Sequence, residues 1–282
     1  MSNQNQDDQA ARWNGPSGRA WVEAQEPLDR MFQAFEKLLV DAVVAEGARG
    51  VLDVGCGTGA TTLAVGRQLA PNGGCTGIDI SEPMLALART RAARAAVAAE
   101  FIRADAQDYP FEPASFDMIV SRFGVMFFDD PVRAFSNLRR AARPGAALRT
   151  AVWRRPEENP FMTAAERAVA PMLPDPSVLA PRRPGAPGQF GFADSHRVHA
   201  LLADSGWAEV AVSPIDVPCT FSEADLTGYV TRLGPVGQAL STADDRTRAR
   251  IMEVARAAFD PYVYGREVRF TAACWMIAAR AP

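Results

Sequence analysis

The sequence predicts an α/β protein built on a doubly wound, mostly parallel sheet of seven strands. Between residues 50 and 153, five short apolar segments alternate with helical segments, the pattern of repeated strand–helix units. The first apolar segment, Val51 to Val54, runs directly into a glycine-rich turn. The alternation stops at Arg154, and two further strand-like segments follow much later in the chain.

The segment before the first strand is predicted to be helical. Apolar residues recur at spacings of three and four from Leu28 to Ala42, which indicates one buried helix face. A turn is expected at residues 13–18, between Trp13 and Trp21. We expect residues 1–49 to form a helical lid over the core.

Residues 50–153 are predicted to form the core of the sheet. Ser81 is expected to cap the helix that begins with Glu82 and Pro83. Arg143-Pro144-Gly145 is expected to end a helix. The predicted strands are 50–54, 75–79, 100–104, 116–121 and 146–153, and the predicted helices are 61–69, 81–99 and 131–142.

Residues 154–282 are expected to complete the sheet and to carry a helical cap. Six prolines between Pro171 and Pro187 predict an irregular stretch. The segments that follow are predicted as helix 194–204, strand 209–217, helices 223–233 and 244–259, and strand 267–278. We interpret about 154–193 and 222–262 as insertions that cap a substrate site.

The composition argues against several classes of function. A net charge of −3 does not favour nonspecific binding to nucleic acid, which depends on many cations. Lys37 is the sole lysine, so mechanisms that need a catalytic lysine are disfavoured. Four separated cysteines and two histidines offer no metal-site spacing. No signal peptide or membrane-spanning run is visible, so a cytoplasmic protein that does not bind membranes is expected.

The glycine-rich turn and the acid before it indicate the type of cofactor. Gly55-x-Gly57-x-x-Ala60 satisfies the dinucleotide fingerprint, so a nicotinamide cofactor remains an alternative. Asp53, however, lies two residues before Gly55, where it would repel a pyrophosphate by about 4 kcal/mol at 4 Å. The ammonium group of S-adenosylmethionine is compatible with a nearby carboxylate. The turn therefore favours S-adenosylmethionine.

Acidic residues also end the next two predicted strands. Asp79 can accept hydrogen bonds from ribose hydroxyls, which suits both cofactors. Asp105 can accept from an adenine amino group. Each acid alone has an alternative interpretation as a turn or cap residue, but three in register with the glycine turn favour a nucleoside site.

Four segments, 51–62, 77–85, 104–111 and 116–128, resemble the cofactor motifs of the class I S-adenosylmethionine-dependent methyltransferases. The resemblance is to the branch around ubiquinone and menaquinone biosynthesis and bacterial small-molecule methylation. It implies a Rossmann-like fold and contacts to the methionyl group, the ribose, the adenine and the cofactor floor. The residues that it implies for the methionyl group are Gly55, Cys56 and Gly57, and Asp79 is implied for the ribose. Ile80, Met84, Asp105 and Ala106 are implied for the adenine, and Ser121 for the cofactor floor.

The resemblance places the transferring methyl group near residues 121–128. Phe123 is a candidate for contact with the acceptor, and Trp21 and Trp153 are candidates for the pocket wall. Packing alone is the alternative interpretation for each aromatic residue. His196 is a candidate general base for a phenolic acceptor, with an exposed surface histidine as the alternative.

These observations predict transfer of a methyl group from S-adenosylmethionine to an O, N or C atom of a small acceptor, aromatic or lipophilic in character. The first alternative is an NAD(P)-dependent oxidoreductase, although the chain has no Tyr-x-x-x-Lys motif. The second is a protein that binds S-adenosylmethionine without catalysis. The sequence leaves a homodimer open.

Overall fold

The computed structural model describes residues 9–173, 185–233, 236–237, 240 and 243–282. Within these ranges eight strands form one sheet. Seven lie side by side in the order β3-β2-β1-β4-β5-β8-β6, and β7 pairs with β8. The predicted α/β fold is thus confirmed. The strands are β1 (Gly50–Val54), β2 (Gly74–Asp79), β3 (Ala99–Arg103), β4 (Phe116–Arg122), β5 (Ala142–Trp153), β6 (Ala208–Ser222), β7 (Val263–Tyr264) and β8 (Glu267–Arg280).

The strand order reverses between β1 and β4. The chain adds β2 and β3 on one side of β1 and then returns to place β4 on the other side. Strands β1 to β5 run parallel to one another, whereas β8 is antiparallel to both β5 and β6. Ligands of open α/β sheets bind at such a reversal, beyond the carboxyl ends of the strands. The site is therefore expected beyond Val54 and Arg122.

Helices cover both faces of the sheet because successive strand residues point to opposite sides. In β1, Val51 shares one core with Leu39 and Val43, whereas Leu52 and Val54 belong to the core on the other face. The helices are α1 (Pro16–Glu23), α2 (Gln25–Met31), α3 (Gln33–Glu46), α4 (Ala60–Leu69), α5 (Glu82–Ala95), α6 (Pro131–Ala141), α7 (Pro160–Val169), α8 (Ser195–Asp204), α9 (Leu226–Arg232) and α10 (Asp245–Ala257).

The segment before β1 is helical, as the apolar spacing predicts, but it is divided. Residues 9–14 are helical, and α1, α2 and α3 follow with breaks at Gly15, Ala24 and Phe32. Phe35 and Leu39 are buried on α3, whereas Leu38 is 40% exposed. The breaks divide the segment into helices with different contacts, in which α1 packs on α5, α2 on β6 and α3 on α4.

No helix is predicted from the sequence between Trp153 and the proline-rich stretch, but residues 160–169 form α7. Phe161, Ala164, Ala165 and Val169 are buried, so a helical period is present in the sequence. Pro160 occupies the first turn, where its missing N–H costs nothing. Prolines are frequent just beyond α7, and they are a stronger signal in the sequence than this short apolar pattern.

Strands β6 and β8 are longer than predicted. They pair with each other along the whole of β6, from residue 208 to residue 222. Within the described ranges, no helix is both long and apolar enough to cross a bilayer. Residues 1–8 of the predicted lid lie outside the described residues. So do residues 174–184, 234–235, 238–239 and 241–242 of the predicted cap.

Candidate functional site

The turn after β1 meets the turn after β4 backbone to backbone. Gly55 has a φ of +68°, a conformation that glycine adopts without steric cost. A Cβ on Gly55 would lie 2.6 Å from the Cα of Gly124. Gly57 has a φ of +55°, and the nearest atom to a Cβ placed there is the Met84 sulfur at 3.8 Å. The glycine turn, residues 55–59, therefore presents bare backbone at the point where the strand order reverses.

Asp79 ties the glycine turn to the end of β2. Its Oδ2 accepts a hydrogen bond from the Gly57 N–H and its Oδ1 one from the Ser81 N–H, both at 2.8 Å. Burial raises the pKa of the carboxyl, although the backbone N–H groups act in the opposite direction. A carboxylate has about four acceptor positions, so Asp79 retains acceptor capacity for a ligand hydroxyl.

Asp53 is buried beside the same turn. The Thr62 hydroxyl donates to its Oδ2 at 2.6 Å. Burial raises the pKa of the Asp53 carboxyl to about 6, although the Thr62 hydrogen bond and the positive charge of Arg122 both lower it. The Cys56 thiol is also buried, and burial raises its pKa well above the usual value. The thiol therefore stays protonated, and Asp53 adds a second buried carboxyl group beside Asp79 at the glycine turn.

A narrow cleft lies between the glycine turn, helices α1 to α3 and the end of β4. Trp21, Asp53, Gly57, Arg122 and Phe123 are among its lining residues. Its volume is about 40 Å³, far below the roughly 300–1,000 Å³ of ordinary ligand pockets. The cleft therefore has to widen before it can admit an amino-acid group joined to a nucleoside, and residues of the helices before β1 form one of its walls.

Arg122 is a cleft residue that the sequence analysis did not single out. Its guanidinium carbon lies 5.8 Å from the centre of the Phe32 ring. Its Nη1 is buried and has no hydrogen-bond partner among the described residues. The sequence signal that could have identified Arg122 as a site residue is its position, a cation directly after the buried strand residues Ile119 to Ser121.

A larger depression, of about 590 Å³, lies at the opposite edge of the sheet. Gly50, Gly74, Ala99 and Ser115 line it, at or next to the amino ends of β1 to β4. Ligands of open α/β sheets bind beyond the carboxyl ends, so we place the functional site at the smaller cleft.

The residues before α1 lie across the end of β2. The Asn14 side chain donates to the Ile80 carbonyl at 3.0 Å and accepts from the Glu82 N–H at 3.0 Å. The Ser81 hydroxyl donates to the Trp13 carbonyl at 2.6 Å. Ser81 does precede α5 as predicted, but its hydroxyl makes no capping bond. It holds the N-terminal segment instead.

A second link joins α2 to the glycine turn. Arg91 of α5 donates to the Thr58 carbonyl at 2.6 Å and to Asp29 Oδ2 at 2.5 Å. Gln25 donates to the same Asp29 oxygen at 2.6 Å. The N-terminal helices are thus bonded to the site at two places.

The loop after β3 contains the residues predicted to read the adenine. Asp105 Oδ1 accepts from the Gln107 N–H at 2.9 Å, and Ala106 is buried. Asn137 of α6 donates to the carbonyls of Ala106 and Tyr109 at 2.9 and 2.8 Å. The loop is therefore held in one conformation by side-chain bonds from α6.

Ser121 is fully buried and bonds to the strand ends. Its hydroxyl donates to the Val54 carbonyl at 2.7 Å and accepts from the Gly124 N–H at 3.2 Å. It joins β1 to the turn after β4. That Ser121 forms part of the cofactor floor stays a prediction. In that role its hydrogen bonds would support the glycine turn.

Two of the three predicted substrate residues are in contact. The Phe123 ring stacks on Trp153 with 4.5 Å between centres and 8° between planes. Phe123 has a φ of +64°, a strained value for a bulky residue that is typical of functional sites. Phe32 and Phe35 pack edge-on against it. Trp21, the third residue, lies on the cleft wall formed by the N-terminal helices.

His196 lies away from these residues. It is exposed in the first turn of α8, where its N–H donates to the capping residue Asp194. Helix α8 packs on β6 and α6. The described residues that line the cleft do not include His196.

Comparison with known proteins agrees with this geometry. Residues 51–145 match the methyltransferase domain family. Demethylmenaquinone methyltransferase of Staphylococcus aureus is 34% identical over 113 residues, which cover 40% of this chain and 46% of that protein. The chain thus matches less than half the length of this relative.

Solved structures share the fold. The YcgJ protein from Bacillus subtilis has a TM-score of 0.56 at 19% identity, covering 87% of this chain and 97% of that one. A putative methyltransferase from Bacillus halodurans has a TM-score of 0.52 at 18% identity, covering 86% and 98%. The cyclase SpnF has a TM-score of 0.52 at 20% identity, covering 89% and 82%.

Residues 51–145 therefore match a methyltransferase domain and lie in an α/β sheet, which agrees with the resemblance found in the sequence. The family match begins at β1 and extends into β5. It includes the glycine turn, Asp79 and the end of β4.

Proposed function

We propose that this chain transfers a methyl group from S-adenosylmethionine to an O, N or C atom of a small organic acceptor. The observation that carries the proposal is the bare glycine turn flanked by Asp53 and Asp79, where the strand order reverses, within a methyltransferase domain. A pyrophosphate would meet the buried Asp53 carboxylate at this turn, whereas an ammonium group would be attracted to it.

The side chains in and around the cleft offer a group for each part of S-adenosylmethionine. The amino-acid end of the cofactor carries an ammonium and a carboxylate group. The cleft offers the Asp53 carboxylate to the first and, to the second, the Arg122 Nη1, which bonds to none of the described residues. Asp79 has acceptor positions left for ribose hydroxyls. Met84 beside Gly57 and the loop at Asp105 supply an apolar contact and hydrogen-bonding groups for adenine.

The bound cofactor supplies an electrophilic methyl group on a sulfonium, with a neutral thioether as leaving group. The chain then has to align the acceptor and exclude water. The stacked Phe123 and Trp153 rings provide a rigid apolar wall. The bonds of Asn14 and Arg91 hold the N-terminal helices over the cleft. These groups orient and enclose, and no proton transfer is assigned to them.

The acceptor is proposed to be aromatic or lipophilic, because Phe123, Trp153 and Trp21 are the predicted contacts on its side of the cleft. The name of the Staphylococcus aureus relative, demethylmenaquinone methyltransferase, indicates such an acceptor for that protein. Phe161 of α7 packs against Trp153 with ring centres 6.1 Å apart. This contact supports the proposal that the segment after β5 caps the acceptor. The cytoplasmic location and the homodimer stay predictions.

Two measurements test the proposal. Isothermal titration calorimetry should show binding of S-adenosylhomocysteine and none of NADH. Incubation with methyl-deuterated S-adenosylmethionine and panels of phenols, amines and quinone precursors should give a product three mass units heavier than its unlabelled form. Because the fold alone does not determine the reaction, binding without any labelled product would favour a non-catalytic role. Binding of NADH instead would refute the proposal.

A further inference from the structure

Arg122 is the last residue of β4, and its side chain lies in the cleft with Asp53, Gly55 and Gly57. One face of the guanidinium lies over the Phe32 ring, 5.8 Å from its centre. Its Nη1 is shielded from solvent and donates no hydrogen bond to any described residue. A buried N–H of a charged group without an acceptor is costly. Among the described residues this nitrogen therefore lacks an acceptor, which a bound ligand can supply.

The carboxylates nearest to Arg122 do not satisfy this nitrogen. Asp53 and Glu36 are close enough for the positive charge to lower the pKa of each, against the larger effect of burial. Neither carboxylate accepts a hydrogen bond from Nη1. The Asp53 Oδ2 is already bonded to the Thr62 hydroxyl. A ligand acceptor would thus add a bond without breaking one of these.

We propose that Arg122 binds the carboxylate of the amino-acid end of S-adenosylmethionine, opposite the Asp53 carboxylate that faces its ammonium group. The inference rests on the proposed function. The planar guanidinium matches the two oxygens of a carboxylate, and one cation and one anion at the same end of a cleft suit a zwitterion. Arg122 then selects the intact cofactor against nucleosides that lack the amino acid.

Calorimetry with two ligands tests this role. S-adenosylhomocysteine carries the carboxylate, and 5′-methylthioadenosine keeps the adenosine and thioether but lacks the amino acid. The proteins are the wild type, Arg122→Met, Arg122→Lys and a control, Arg269→Met. Arg269 lies on β8 and is bonded to Glu267, and it is not among the residues that line the cleft.

Arg122→Met should weaken S-adenosylhomocysteine by about tenfold or more, the usual effect of losing a hydrogen bond to a charged group, and leave 5′-methylthioadenosine unchanged. Arg122→Lys should retain part of the affinity, and Arg269→Met all of it. Without ligand, Arg122→Met should unfold near the wild-type temperature, because Nη1 has no hydrogen-bond partner to lose among the residues that the structure describes.

Unchanged S-adenosylhomocysteine binding in both Arg122 variants would overturn the role of Arg122 and leave the proposed function standing. An equal loss for both ligands would also overturn it, because Arg122 would then shape the cleft and not read the carboxylate. A wild type that binds neither ligand would overturn the proposed function itself.

Discussion

Replacing Asp53 by asparagine should stabilise the folded protein at neutral pH and weaken cofactor binding. Asp53 is 1% exposed, and burial raises the pKa of its carboxyl from 3.8 to about 6. The folded protein therefore holds this proton more tightly than the unfolded chain does. As a result, the free energy of unfolding falls as the pH rises from 3.8 to about 6 and stays lower above it.

The size of the effect follows from this pKa. One pKa unit corresponds to about 1.4 kcal/mol, so ionised Asp53 destabilises the fold by about 3 kcal/mol at neutral pH. Asparagine keeps an oxygen for the Thr62 hydroxyl, which lies 2.6 Å from Asp53 Oδ2, and removes the charge. The gain in unfolding free energy should approach about 3 kcal/mol above pH 7 and shrink towards pH 4.

Urea unfolding of the wild type and Asp53→Asn between pH 4 and pH 8 measures this difference. Asp41→Asn is the matched control, because Asp41 is exposed on α3 and ion-paired to Lys37, so its effect should be small at every pH. A destabilised Asp53→Asn variant, or a stabilisation that does not change with pH, would refute the reasoning. Its affinity for S-adenosylhomocysteine should fall about tenfold or more, through loss of the charge opposite the ammonium.

Three further substitutions test other parts of the site. Gly124→Ala should destabilise the fold by about 3 kcal/mol, the upper range for an overpacked position. The reason is that the alanine Cβ would lie 2.5 Å from the Val54 carbonyl oxygen. An unchanged urea midpoint would contradict this close approach. Asn14→Ala removes two hydrogen bonds to the end of β2, worth about 1 kcal/mol each. Hydrogen exchange in residues 16–23 should rise while that of β1 does not, and equal rises in both would contradict a separate lid. Asp79→Asn leaves one acceptor oxygen where two N–H groups are bonded. Calorimetry should therefore show that the affinity for S-adenosylhomocysteine falls by about tenfold or more. An unchanged affinity would exclude a ribose contact.

Much of the sheet could be predicted from the sequence because its strands are local patterns. Val51 to Val54 and Phe116 to Ser121 are short apolar segments, and the helices between strands carry their own end signals, such as Pro131 at the start of α6. Helix α7 gives a weaker signal, because its apolar pattern is only ten residues long and lies directly before a proline-rich segment. The two-residue strand β7 gave no periodic signal at all.

The glycine turn and its acids could also be predicted, since they follow strands directly in the chain. The links made by Asn14 and Arg91 could not, because Asn14 bonds to residues 66 and 68 positions away and Arg91 to Asp29, 62 positions away. Arg122 is a similar case. Its Nη1 is buried and lacks a hydrogen-bond partner within the described part of the chain, which is a property of the packed cleft that no local pattern reveals.

A crystal structure of the protein soaked with S-adenosylhomocysteine tests the central claim most directly. The account predicts density for the ligand at the glycine turn, with its carboxylate on Arg122, its ammonium group towards Asp53 and its ribose on Asp79, and with helices α1 and α2 displaced to admit it. Density for the ligand elsewhere, or a diphosphate bound against Gly55 and Gly57 in a parallel soak with NADH, would contradict it.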